Sequence, residues 1–212
     1  MDQLEVLKKE WQKREQELPK LSYAAIYSML LKKSSSIVKW IFFIGIAEML
    51  FWIAILFFIP DSQHKILVEM GLHKISIYVN LVHYVVVAIF IFYFYKNYKR
   101  IRVTDTIGEL MANILRTRKT VRYFVYYNIG MFVLSTIAVN LFFYFNMHHL
   151  YEVVDLGEQA LSEEKFQTYF IITQLIVGLA FLGLLMLFYW LIYGTLLKRL
   201  NRNYKELKKI EA

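Results

Sequence analysis

IVKWIFFIGIAEMLFWIAILFFI, residues 37–59, is an apolar run that contains one lysine near its start and one glutamate near its centre. At about 1.5 Å of rise per helical residue, it is long enough to cross a hydrocarbon core about 30 Å thick. Three comparable runs follow, at about 75–95, 121–147 and 166–196. We therefore predict an all-α fold, an integral membrane four-helix bundle with four transmembrane helices.

The composition supports this prediction. The chain is 58% hydrophobic and has two prolines among 212 residues, which leaves too little polar surface for an ordinary globular domain. It has no cysteine, and this excludes disulfides, thiolate metal sites and a cysteine nucleophile. The net charge is +8, but the basic residues flank apolar runs instead of forming a stripe on a soluble fold. We expect anionic membrane lipids, and not nucleic acid, to bind this charge.

The basic residues lie almost entirely on one side of the four runs. Of the 25 lysines and arginines, 22 lie in residues 1–39, 96–122 or 198–212, at or beyond the inner ends of the runs, and 3 lie in the two other connections, 60–74 and 148–165. The positive-inside rule then predicts a multi-pass membrane protein with both termini and the connection between the second and third runs in the cytoplasm. Aromatic residues near the inner ends are expected to anchor the helices at the interface: Trp40, Tyr95, Tyr98, Tyr123, Trp190 and Tyr193.

On this topology the chain has three parts: a cytoplasmic N-terminal helical segment (1–36), a four-span domain (37–197) and a cytoplasmic C-terminal helix extension (198–212). In the first part, Leu4, Leu7 and Trp11 recur at three- and four-residue spacing and are expected to dock on lipid or on a partner. A short helix should begin at the N-cap Ser22. The three serines at 34–36 should interrupt it and cap the first span.

A separate amphipathic helix is predicted over about 105–118, between the second and third spans. Its apolar residues repeat at three- and four-residue intervals, and Thr106 with Glu109 is typical of a capping box. The apolar positions are Ile107, Leu110, Met111, Ile114 and Leu115. A basic cluster follows that we expect to dock on anionic headgroups or a partner; it consists of Arg116, Arg118, Lys119 and Arg122.

Polar residues within the apolar runs are the candidate site residues: Glu48, Asn80, His83, Asn140 and Gln174. A central acidic residue costs about 2.5–3.5 kcal/mol on insertion, so Glu48 should face the bundle and find a partner. His83 is the expected partner, because the two residues lie about 16 and 12 Å from the outer ends of their runs. Two interpretations stay open: a proton- or cation-linked site, or a hydrogen-bonded clasp that fixes helix register or contacts a partner's helix.

The sequence contains no pattern typical of an enzyme. Its five histidines include one adjacent pair, His148 and His149, in an outer connection, whereas metal-dependent oxygenases need several converging ligands. Serine nucleophile elbows, phosphate-binding loops and H-E-x-x-H are absent. We therefore expect a non-enzymatic protein with no cofactor and no metal.

The stretches LPKLSY (18–23) and IYSMLLKKSSSIVKW (26–40) resemble a family of uncharacterised multipass inner-membrane proteins of Bacteroidota. The resemblance implies a bacterial cell and an inner-membrane location. Some members carry a beta-carotene oxygenase label, which would imply histidine-ligated iron, and the histidines here give that label no support.

Taken together, these features favour an accessory, scaffolding or regulatory subunit of a membrane complex, with a protein partner or as a homo-oligomer. The alternative is a small oligomeric proton- or cation-linked permease or channel that uses Glu48 and His83.

Overall fold

The computed structural model describes residues 22–58, 60–154 and 162–211, together with Glu5 and Lys8. Over these residues the protein is all-α, with six helices and no strand, so the predicted fold class is confirmed at this level. The helices are α1 (Tyr23–Leu56), α2 (Asp61–Glu69), α3 (His73–Arg102), α4 (Ile107–Phe145), α5 (Met147–Val153) and α6 (Glu163–Glu211).

Four of the helices, α1, α3, α4 and α6, are long and apolar enough to cross a membrane. This confirms the predicted number of long apolar helices. The helices are longer than the apolar runs, because the charged residues that end each run are good helix formers and do not break the backbone pattern. The short helices α2 and α5, which lie in the two connections with few basic residues, were not predicted.

The serines at 34–36 do not interrupt α1, so the prediction of two helices there is wrong. Ser22 does cap the helix, since its Oγ accepts a hydrogen bond from the Ala25 amide at 3.2 Å. Ser34 is fully buried, and its Oγ accepts a hydrogen bond from Asn203 Nδ2 of α6 at 3.0 Å. Serine costs little in a helix interior, and a buried tertiary partner removes the reason for it to compete with the backbone.

The predicted helix over 105–118 is not separate either, because it is the first part of α4. Thr106 caps it, with its Oγ1 accepting from the Glu109 amide at 3.3 Å. Nothing in the basic cluster breaks a helix, and Leu110 and Ile114 are fully buried against the other long helices. The proposed divisions at 36/37 and 197/198 likewise fall inside α1 and α6.

The bundle has a closely packed end, at which α1 and α4 begin and α3 and α6 end; we call it the basic end. Its core side chains are fully buried: Val38, Ile41, Ile101, Ile114 and Leu200. The Tyr27 hydroxyl donates to the carbonyl oxygen of Thr104 at 2.9 Å, which ties α1 to the connection between α3 and α4. The basic end is therefore one packed unit of four helices.

Packing differs toward the opposite end, which we call the far end. The segment Thr195–Glu211 of α6 packs against α1 and α4, whereas Glu163–Tyr189 packs mainly against α4 and α5. Helices α1 and α6 therefore meet at the basic end and separate beyond it. The separation leaves space between them at the level of Glu48.

Candidate functional site

Glu48 lies on the buried face of α1. Ile41, Gly45 and Glu48 recur at four- and three-residue spacing and are all buried, as one face of a helix requires. The Glu48 side chain is 8% exposed. A carboxylate in such surroundings needs hydrogen-bond donors, because burial without them is costly.

Two tyrosines of α6 supply these donors. The Tyr189 hydroxyl donates to Glu48 Oε1 at 2.5 Å, and the Tyr193 hydroxyl donates to Glu48 Oε2 at 3.0 Å. Both tyrosines are buried, at 4% and 1% exposure. The two oxygens of one carboxylate are thus held by separate hydroxyls, which is the pattern expected for the ionised form because it accepts without donating.

The backbone of α6 is irregular at this site. Trp190–Gly194 forms a π-helical turn within the otherwise α-helical segment, and Tyr193 lies inside it. Single π turns are uncommon and lie frequently at functional sites. Here the turn begins directly after Tyr189 and contains the second hydroxyl donor, so the irregularity coincides with the glutamate contact.

An aromatic residue of α4 fixes the two tyrosine rings. Phe124 is 1% exposed, and its ring centroid lies 6.4 Å from that of Tyr189 and 5.8 Å from that of Tyr193. Both contacts have the edge-on geometry that aromatic pairs prefer. Since a fully packed ring has little room to turn, the packing holds the two hydroxyls in place.

No cation neutralises Glu48 among the residues that the structure describes. The ion pairs found there involve His148, His149 and Arg202, and none includes Glu48. Hydroxyl donors stabilise a carboxylate but leave its net charge in place. When Glu48 is ionised, the described part of the site therefore holds one unit of negative charge with no cation beside it.

Glu48 lines a cavity between α1 and α6, which we call the apolar cavity. Its volume is about 560 Å³, within the range of small-molecule pockets. Apart from Glu48 and Tyr189 its walls are apolar or aromatic. The principal lining residues are Ala47, Phe51, Trp52, Phe181, Leu184 and Phe188.

A second cavity, of about 360 Å³, lies among α1, α3, α4 and α6, and we call it the central cavity. It shares Trp52, Phe181 and Tyr189 with the apolar cavity. Its polar lining consists of Asn80, His83, Asn128, Ser135 and Tyr189. Tyr189 thus lies between Glu48 and a cavity with several polar side chains in its lining.

The predicted pair of Glu48 and His83 does not form. His83 stacks on Tyr127 with ring centroids 5.6 Å apart, and its Nδ1 lies 3.3 Å from the Tyr127 hydroxyl. Each of the two expected partners has a tyrosine instead. Equal depth along two helices does not determine which faces meet, and here α6 covers the face of α1 that carries Glu48.

The structure brings only some of the other candidate polar residues together. Asn80 and His83 line the central cavity. Asn140 Nδ2 donates to the Thr136 carbonyl of its own helix at 2.8 Å, and Gln174 is half-buried on α6. An asparagine can satisfy its amide one turn back along the same helix, so Asn140 needs no partner across the bundle.

The basic cluster lies at the basic end, on α4. Arg116, Lys119 and Arg122 are exposed, whereas Arg118 is half-buried and its Nε atom is enclosed without a hydrogen-bond partner. Three of the four residues thus present charge at the surface. The other residues predicted to dock, Leu4, Leu7 and Trp11, lie outside the described residues.

Histidines of the far end contact carboxylates. His148 Nδ1 lies 3.2 Å from Glu163 Oε2, which joins α5 to the start of α6. The hydrogen bond and charge of Glu163, with the charge of Glu152, raise the pKa of the His148 imidazole above its ordinary value. Over the described ranges, no three His, Asp or Glu side chains are grouped so that they could hold a metal ion.

Sequence reasoning missed Tyr189 and Tyr193. Tyr193 was expected to anchor the helix at a membrane interface, and this is wrong because it is buried against Glu48; Trp40 and Trp190, at 62% and 70%, are exposed. The available signal was the four-residue spacing of the two tyrosines, which places both on one helix face. An isolated buried acid calls for such a pair of donors.

A comparison with known proteins shows which family the chain belongs to. No curated protein and no solved structure matches the chain. Residues 24–212, which include all six helices except the first residue of α1, match the family described as Domain of unknown function (DUF8845). The chain belongs to this family.

Proposed function

We propose that the protein is a non-enzymatic, multi-pass protein of a bacterial cytoplasmic membrane that acts as an accessory, scaffolding or regulatory subunit of a membrane complex. In this arrangement α1, α3, α4 and α6 cross the bilayer, and the basic end lies in the cytoplasm. The four apolar helices and the one-sided charge of 22 basic residues against 3 support this orientation. A protein partner or a second copy of the chain completes the complex.

The observation that carries the proposal is the construction of the basic end. The long helices continue past their apolar runs into a packed unit, in which Leu200 and Leu207 of α6 are fully buried with Leu110 and Ile114 of α4. Such a unit gives a partner a rigid surface. Its exposed arginines and lysines suit anionic lipid headgroups.

Substitutions in the N-terminal segment test the proposed accessory role. The full chain, tagged at the C-terminus and purified in mild detergent from its own host, should carry a stoichiometric partner or form a defined homo-oligomer. Replacing Leu4, Leu7 and Trp11 by serine should release that partner. The matched control replaces Lys8, Lys9 and Lys13 by glutamine in the same segment. It removes positive charge and keeps the apolar residues Leu4, Leu7 and Trp11. Recovery of a monomer without partner from the wild-type chain would refute the accessory role.

A second function is favoured by the Glu48 carboxyl group, which lines the apolar cavity and is hydrogen-bonded to Tyr189, a residue that lines both cavities. The chain would then act as a small oligomeric permease or channel linked to protons or cations, with Glu48 as the exchanging group and His83 in the central cavity.

Proteoliposomes containing a pH-sensitive dye test this alternative. Proton flux should be lost in Glu48→Gln and kept in Glu69→Gln, a variant of an exposed acid on α2. Equal flux in both variants would exclude Glu48 as the coupling group.

A further inference from the structure

The apolar cavity combines two properties that are rarely found together. Its walls are apolar and aromatic, and one carboxyl group, that of Glu48, lies in its lining. When ionised, this group has hydroxyl donors but no cation among the described ion pairs. A buried charge of this kind is stabilised most by a partner of opposite charge in the same low-dielectric space.

The aromatic side chains define the chemistry further. Phe51, Trp52 and Tyr189 line the cavity beside Glu48, and Phe181 and Phe188 line it from α6. Trp52 and Phe181 are in edge-on contact at 6.0 Å, which joins the two helices across the cavity. Faces of aromatic rings attract organic cations, with the strongest effect where water is excluded.

Inorganic cations fit the same space poorly. Hard ions such as Mg²⁺ and Ca²⁺ take six or more oxygen ligands, whereas the side-chain oxygens in the lining belong to the Glu48 carboxyl group and the Tyr189 hydroxyl. An organic cation carries its own apolar body and needs no such shell. A volume of about 560 Å³ accommodates a molecule of drug-like size.

We propose that the apolar cavity binds a lipophilic organic cation, with the apolar body between α1 and α6 and the cationic head against the Glu48 carboxylate. The proposal rests on the membrane placement proposed above and holds for an accessory subunit as well as for a permease. Phe124 holds Tyr189 and Tyr193 so that the carboxylate is positioned before the ligand enters. The ligand supplies the positive charge that no described residue places beside Glu48.

The test is equilibrium binding of radiolabelled tetraphenylphosphonium to the full chain in lipid nanodiscs, with binding to empty nanodiscs subtracted. Tetraphenylborate has nearly the same shape and the opposite charge, so it separates charge recognition from apolar partition. Saturable binding of tetraphenylphosphonium alone is expected. In Glu48→Gln the affinity should fall by about 30-fold or more, since the cation loses its buried counter-charge.

A second pair of variants tests the cavity without altering the carboxylate. Leu184 lines the cavity and Leu179 does not, although both lie on α6 at similar exposure, 64% and 68%. Leu184→Trp should weaken binding by about tenfold or more because the ring occupies the space of the ligand. Leu179→Trp should leave it unchanged. If Glu48→Gln fails to fold, this pair of variants still shows whether the cation binds in the apolar cavity.

Three results would overturn the proposal: equal binding of the two ions, unchanged binding in a folded Glu48→Gln, or equal effects of the two tryptophans. A chain that inserts into nanodiscs and binds neither ion refutes this site alone. A chain that does not insert refutes the membrane placement from which the site was argued.

Discussion

Removal of one hydroxyl beside Glu48 should show whether the glutamate is held as an ion. In the structure, Tyr193 is 1% exposed and its hydroxyl donates to Glu48 Oε2 at 3.0 Å. Tyr193→Phe removes this donor and leaves the ring in place. Glu48→Met removes both acceptor oxygens and keeps a side chain of similar length. The two variants and their combination form a double-mutant cycle for one hydrogen bond.

The expected size of the coupling follows from the charge of the acceptor. Hydrogen bonds to charged groups contribute about 1.5–3 kcal/mol, whereas hydrogen bonds within membrane proteins average about 0.6 kcal/mol in comparable cycles. Because the carboxylate is buried and each oxygen has a separate hydroxyl donor, we expect the upper range. A coupling of about 1.5–3 kcal/mol is therefore predicted between Glu48 and Tyr193.

The assay is the free energy of unfolding in mixed micelles of dodecyl sulfate and a neutral detergent, followed by circular dichroism. Tyr127→Phe provides the matched control, because that hydroxyl lies against His83 and not against Glu48. Its coupling to Glu48→Met should be zero within about 0.5 kcal/mol. A coupling of about 0.6 kcal/mol or less for Tyr193, or equal couplings for both tyrosines, would refute an ionised Glu48 held by two donors.

Three further predictions concern packing and pH. Gly45→Val should lower the free energy of unfolding by about 1–3 kcal/mol, since an added Cβ would lie 3.2 Å from the ring of a fully buried phenylalanine of α3. The control is Gly183→Val, because an added Cβ at Gly183 meets no atom within 4 Å. This variant should change the free energy of unfolding little in the same micelle assay. Leu207→Ala, at a fully buried position of the basic end, should lower the free energy of unfolding by about 2–5 kcal/mol. A decrease as small as the one caused by replacing an exposed leucine with alanine would mean that the basic end does not pack. Because the folded-state pKa of His148 is raised, the contact with Glu163 should stabilise the far end fully below the ordinary histidine pKa and lose this effect as pH rises through the raised value. The protection factors of the α5 amides, which are exchange rates corrected for the intrinsic pH dependence of exchange, should therefore fall between about pH 5 and 8 in the wild type and stay constant in His148→Ala.

The long helices could be predicted from the sequence because their signal is local. A run such as 37–59 carries its own evidence for a spanning helix in its length and composition. Capping residues are also local, and Ser22 and Thr106 both cap helices as expected. The predicted ends were less accurate, since charged residues end a hydrophobic pattern without ending a helix.

The partners of Glu48 could not be found in the same way. Its burial was expected from the cost of an acid in an apolar run, but the choice of partner depends on how α6 turns relative to α1. A π turn at Trp190–Gly194 determines part of that rotation, and nothing in the residue pattern predicted it. Ser34 shows the same limit, because only the fold reveals Asn203 as its donor.

Cysteine accessibility tests the four-span arrangement most directly. The natural chain has no cysteine, so single cysteines can be introduced without background. In intact cells with a permeabilised outer membrane, a membrane-impermeant maleimide should label Gln63→Cys and Ser162→Cys, in the two connections expected outside. It should label Val103→Cys and Lys209→Cys only after the inner membrane is opened. Labelling of either basic-end cysteine in intact cells, or equal labelling of all four cysteines, would contradict four membrane spans with the basic end in the cytoplasm.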